Sequence, residues 1–133
     1  PEEFSKRLFI ERSKQYHDSL NIIKSKGNFI FFDRGVHDIY AYLLAIGKAN
    51  EIWEKKIIDF KYDFIFLVKP WRKIYKNDNQ RIETFETAKK YYSFIKKTYT
   101  ITNKVIEIPQ RSVDERTNFV ESYLSYNGWL RTA

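Results

Sequence analysis

Asp33 and Arg34 stand side by side at the end of an apolar run, Phe29-Ile30-Phe31-Phe32, and are followed by Gly35. A carboxylate can hold Mg2+ directly or through water, and an adjacent guanidinium can grip phosphate oxygens. Phosphoryl transfer needs both beside its phosphate cradle. The plainer reading of the same letters is that Asp33 caps the following helix and Arg34 pairs at the surface. His37 and Asp38 come next and are candidates to shape a substrate crevice, with simple exposure the alternative for His37; two such residues do not make a metal site. A second group lies between Lys69 and Arg81, where Arg72 and Arg81 are the strongest phosphate grips because a planar guanidinium binds two oxygens at once. An ordinary solvated loop has the same composition. A third stretch, Pro109-Gln110-Arg111-Ser112-Val113, follows the last apolar run, where Pro109 would shape the backbone and Arg111 would stack on a ring. A simple strand-to-helix connection explains it equally well.

These groups need elements to place them. The β-branched and aromatic runs through Phe32, from Tyr62 to Val68 and from Lys104 to Ile108 read as strands, the first two as strands buried on both faces. Asp33 and Arg34 would then emerge at the carboxyl end of the first strand, where open α/β sheets bind ligands. Pro70 ends the second run, since proline cannot continue a ladder. Helical spacing of Phe4, Leu8, Phe9, Tyr16, Leu20 and Ile23 predicts a long first helix opened by Pro1 and two acids and stopped by Gly27. A helical stretch from Ile39 to Ile46 closes at Gly47, and Asn50 caps a short helix carrying Trp53 and Ile57. The segment Trp71 to Glu83 reads as polar loop, with helix resuming from Thr84 through Phe85, Ala88, Tyr91, Tyr92 and Ile95. Ser112 and Glu115 fit a capping box opening the last helix. Strands alternating with helices of this length imply parallel pairing and right-handed crossovers, an α/β layered fold.

Composition narrows the classes. One compact unit fits 133 residues, and the absence of cysteine excludes disulfides and thiolate zinc sites. No apolar run is long enough for a spanning helix and no signal peptide opens the chain, so a cytoplasmic location is expected. The net charge of +7 would attract nucleotides, nucleic acid or an anionic membrane surface. The pairs Lys89-Lys90 and Lys96-Lys97 flank an aromatic helix face and read first as its solvated side.

Taken in order, Phe31-Phe32-Asp33-Arg34-Gly35, Asp38, Tyr42, Tyr62-Asp63, Leu67, Pro70-Trp71, Ile74-Tyr75, Asp78, Arg81, Phe85, Ala88, Glu107-Ile108-Pro109, Val113 and Glu115-Arg116 resemble the AAA-domain ATPase and kinase-like P-loop family. That family is similar to the ribosylnicotinamide kinase domain of NadR and to the TRPL translocation defect proteins. The resemblance implies a three-layer P-loop NTPase with a parallel sheet of the nucleoside- or nucleotide-kinase kind, binding ATP or GTP with Mg2+. Under it Asp33 matches the Walker B-like acid and metal ligand, and Arg34 the substrate-side arginine. Arg72 and Arg81 match the lid arginines, and Pro109, Arg111 and Val113 fall in the loop that contacts the base. The family's Gly-x-x-x-x-Gly-Lys-[Ser/Thr] loop is absent, because Gly27, Gly35, Gly47 and Gly128 form no such motif. Residues 1–126 are therefore expected to be the carboxyl-terminal portion of such a domain, with 127–133 a tail. The missing strand and phosphate loop would come from polypeptide before Pro1 or, as an alternative, from another chain. The missing strand would sit between the strand ending at Asp33 and the one ending near Val68.

The leading reading is an ATP- or GTP-binding NTPase, either a phosphotransferase acting on an unknown small-molecule acceptor or an ATPase. A nucleotide-gated regulatory or lipid-surface module without phosphotransfer is the alternative. A nucleic-acid-binding protein ranks third, since no base-reading motif accompanies the charge.

Overall fold

The computed structural model describes residues 2–26, 29–71 and 79–127, which form two compact units, Pro1–Lys61 and Tyr62–Ala133. The first unit is helical. Its helix α1, Glu2–Lys26, starts with Glu2 and Glu3 against the positive end of the helix dipole. One face of α1 carries Phe9, which meets Trp53 and Phe60 edge to face at 6.0 and 5.7 Å, and Tyr16, whose ring lies 5.0 Å from Phe60. The Tyr16 hydroxyl also donates to the Lys61 carbonyl at 2.9 Å.

Helix α2, His37–Ala45, ends as its glycine dictates. Gly47 adopts φ 73°, and the amides of Gly47 and Lys48 return to the carbonyls of Leu44 and Leu43 at 3.1 and 2.8 Å. This crossed pair is the Schellman arrangement, which a residue with a Cβ fits poorly. Helix α3, Glu51–Ile57, opens with Asn50, whose side chain accepts from the Trp53 amide at 3.0 Å. The core between these helices consists of Val36, Ile57 and Phe60 on one side and Ile39, Leu43 and Trp53 on the other.

The second unit contains the sheet. Strands β1, Ile65–Val68, and β2, Val105–Ile108, pair in parallel with Ile65 opposite Val105 and Val68 opposite Ile108. Helix α4, Asn79–Thr100, makes the crossover between them, and α5, Val113–Tyr126, follows β2. Strand alternation assigns the faces. Phe66 sits with Ile106 on the side where Tyr123 of α5 meets the Phe64 and Phe66 rings. Leu67 sits with Glu107 on the other side, where Glu107 pairs with Lys96 of α4. One helix thus covers each face. The strands begin late because the Tyr62 amide is taken by the Asn103 side chain at 2.6 Å, and the ladder starts only where Ile65 donates to the Lys104 carbonyl at 2.8 Å.

Two expectations need correction. Phe29–Phe32 is not a strand buried on both faces: it lies in neither helix nor strand, and Phe31 is 70% exposed. The described sheet consists of β1 and β2 alone, and an apolar run without a place in a ladder does not become a strand. Helix α4 begins at Asn79, five residues before Thr84, so Arg81 occupies its first turn and not a loop. Gln80, Arg81 and Glu83 are good helix formers, and they extend the helix beyond its apolar period. Arg72 and the tail from Gly128 onward lie outside the described residues. No helix among the described residues is long and apolar enough to cross a membrane.

Candidate functional site

In the first unit the chain changes character sharply at Gly35. Asp33 and Arg34 are exposed, whereas Gly35, Val36 and His37 are buried. Arg34 makes this reversal in the left-handed region, at φ 72°. A non-glycine residue there costs on the order of 1 kcal/mol and persists where its surroundings fix it. The fixing contacts converge on the next residue: the Gly35 amide donates to Asp38 Oδ2 at 2.8 Å, and Arg12 Nη1 donates to the Gly35 carbonyl at 3.2 Å. Asp38 lies in the first turn of α2, where its charge also favours the helix dipole.

His37 is 1% exposed, and burial lowers its pKa from 6.5 to about 4, so the imidazole is neutral near pH 7. It belongs to the packed base of the turn. The four residues singled out here by sequence, Asp33, Arg34, His37 and Asp38, are thus gathered in one turn. The first two are presented outward, and the last two are set into its base. Arg12 carries no signal of its own in the sequence. Its one clue is position, four residues from both Leu8 and Tyr16, on the face of α1 that packs inward. A charged residue on such a face needs a partner.

In the second unit, parallel pairing brings the carboxyl ends of β1 and β2 to one edge. Pro70, just after β1, therefore lies beside the Pro109 loop, and Gln110 Nε2 donates to its carbonyl at 3.4 Å. The Arg111 amide turns back to the Pro109 carbonyl at 2.9 Å, and its guanidinium lies 3.7 Å from Glu115. Ser112 caps α5 by accepting from the Glu115 amide at 3.2 Å, and Val113 is 67% exposed. Asp114 and Glu115 occupy the first turn of α5, so their charges oppose an anion at that helix end. The loop is better suited to an uncharged ring than to phosphate. Behind it, a hydrogen bond from Lys96 and then Tyr92 hold the Glu107 carboxylate below its usual range, and burial followed by Glu107 raises the Tyr92 hydroxyl.

Among the described residues no group of three or more His, Cys, Asp or Glu is placed to hold a metal. A magnesium ion at Asp33 fits this arrangement only if its other ligands are substrate phosphate and water. That is the usual mode for a small, strongly hydrated cation, and the exposed Asp33 carboxylate suits it.

The profile of the AAA-domain family matches residues 1–116. No curated protein and no solved structure matches the chain.

Proposed function

Because this chain belongs to the AAA-domain family, a family of P-loop nucleotide-binding NTPases, we propose that it forms the acceptor side and magnesium side of an ATP- or GTP-dependent phosphotransferase or NTP hydrolase. The observation that carries the proposal is the turn at Asp33 and Arg34, an acid and a base presented to solvent on a base of buried residues. In this reading Asp33 orients the magnesium-bound phosphate or takes the acceptor's proton, and Arg34 holds the acceptor. Arg72 and Arg81 neutralise charge on the transferring group. His37 and Asp38 shape the acceptor side from behind, as the base on which the turn rests, and Pro109, Arg111 and Val113 meet the nucleotide base. When bound, the magnesium nucleotide supplies the phosphoryl group and the cation that offsets its developing charge.

The proposal includes a three-layer kinase-like sheet and a cytoplasmic location. It also requires a glycine-rich phosphate loop from outside these 133 residues, as none occurs within them. The acceptor is a small molecule.

Phosphate release by the complete protein, measured with ATP and with GTP against a panel of small nucleosides, tests the reading. Stimulation by one acceptor is expected. Asp33→Asn and Arg81→Ala should each lower turnover by about 100-fold or more without loss of the folded state. Unchanged turnover in both variants would defeat the assignment, and tight nucleotide binding without turnover would favour a regulatory module.

A further inference from the structure

The two hydrogen bonds at Gly35 restrain two successive peptide groups. The Gly35 amide belongs to the peptide that joins it to Arg34, so its bond to Asp38 Oδ2 resists rotation about Arg34 ψ. The Gly35 carbonyl belongs to the following peptide, and the Arg12 guanidinium holds that one. Arg12 comes from α1 and Asp38 from α2, so the turn is referenced to two helices at once. Both contacts are charge-assisted, which makes them stronger than bonds between neutral groups. Between them they bracket Gly35, directly after the residue whose left-handed backbone sends Asp33 and Arg34 outward.

We propose that Arg12 and Asp38 are positioning residues: they clamp Gly35, hold Arg34 in its left-handed turn, and so set the bearing of the Asp33 and Arg34 side chains. This rests on reading Asp33 and Arg34 as groups that touch substrate. Neither Arg12 nor Asp38 needs to reach the reacting atoms. The two act together, because release of either peptide lets the turn relax.

Two readouts in the complete protein test the clamp. By NMR, the Gly35 amide should exchange about tenfold faster in Arg12→Met and in Asp38→Ala, the scale set by losing a hydrogen bond to a charged group. Arg12→Lys, which keeps a charged donor, should exchange as the wild type does. In turnover assays Arg12→Met should lower kcat about tenfold with nucleotide KM unchanged, and Arg12→Lys should restore it. Asp38→Ala supplies the same readouts should Arg12→Met fail to fold. Wild-type exchange at Gly35 in both disrupting variants would overturn the clamp, and faster exchange with unaltered kcat would overturn the positioning role. Absence of turnover in the wild-type protein would overturn the functional reading itself, a failure told apart by a Gly35 amide that still responds to Arg12→Met.

Discussion

Phe29-Ile30-Phe31-Phe32 and Phe64-Ile65-Phe66-Leu67 are almost the same four residues, yet only the second contributes to a strand. Leu67 is 9% exposed and Phe31 is 70% exposed. The side chains cannot explain this, since both runs are aromatic and β-branched. Pairing does. Ile65–Val68 has Val105–Ile108 alongside it and a helix on each face, whereas Phe29–Phe32 has no place in the described sheet. An apolar run sets a preference for extended chain, and a ladder converts that preference into a strand.

The two units should therefore respond differently to perturbation, most strongly to acid. Both histidines lie in Pro1–Lys61, and His37 is the one held buried and neutral with its pKa lowered to about 4. Its folded value is below the unfolded value of about 6.5, so the unfolded chain binds the proton more readily. The stability it contributes is complete above about pH 6.5 and is lost as pH falls towards 4, by up to about 3 kcal/mol. Urea unfolding at pH 7 and pH 4.5 should show this slope in the wild type and a flatter one in His37→Gln. Equal slopes would remove the acid sensitivity from this residue.

A smaller contrast tests the strands directly. Phe66→Thr takes a half-buried ring away from Tyr123 and should cost about 2 kcal/mol, part of the penalty for a fully buried aromatic. Phe31→Thr, at an exposed site, should stay within about 0.5 kcal/mol. Thermal melts of the two variants decide it, and similar losses would mean that Phe29–Phe32 is buried in solution. The smallest expected effects are at the caps. Asn50→Ala in the first unit and Ser112→Ala in the second should each cost about 1 kcal/mol, because each removes one acceptor from a helix-terminal amide. A matched pair of losses in melting experiments would show that local capping is the same in both units while sheet pairing is not.

That division also explains what can be read from the chain. The stop at Gly47, the caps at Asn50 and Ser112 and the parallel pairing of β1 with β2 are legible, since each depends on nearby residues or on the length of a crossover. Asp33 and Arg34 stand out in the sequence by their chemistry, but what turns them outward does not, since no strand among the described residues ends there. The Gly35 carbonyl is held by Arg12, 23 residues earlier, and no local pattern encodes that contact. The start of α4 is hidden for the opposite reason: between Asn79 and Glu83 Ile82 is the one apolar residue, too little to announce a helical period, although Gln80, Arg81 and Glu83 favour helix.

The role of Asp33 is tested most directly by nucleotide affinity, measured by titration calorimetry on the complete protein with and without Mg2+, in the wild type and in Asp33→Asn. The expected result is that Mg2+ strengthens binding of ATP or GTP about tenfold in the wild type and hardly at all in Asp33→Asn. An equal gain from Mg2+ in both proteins would contradict it.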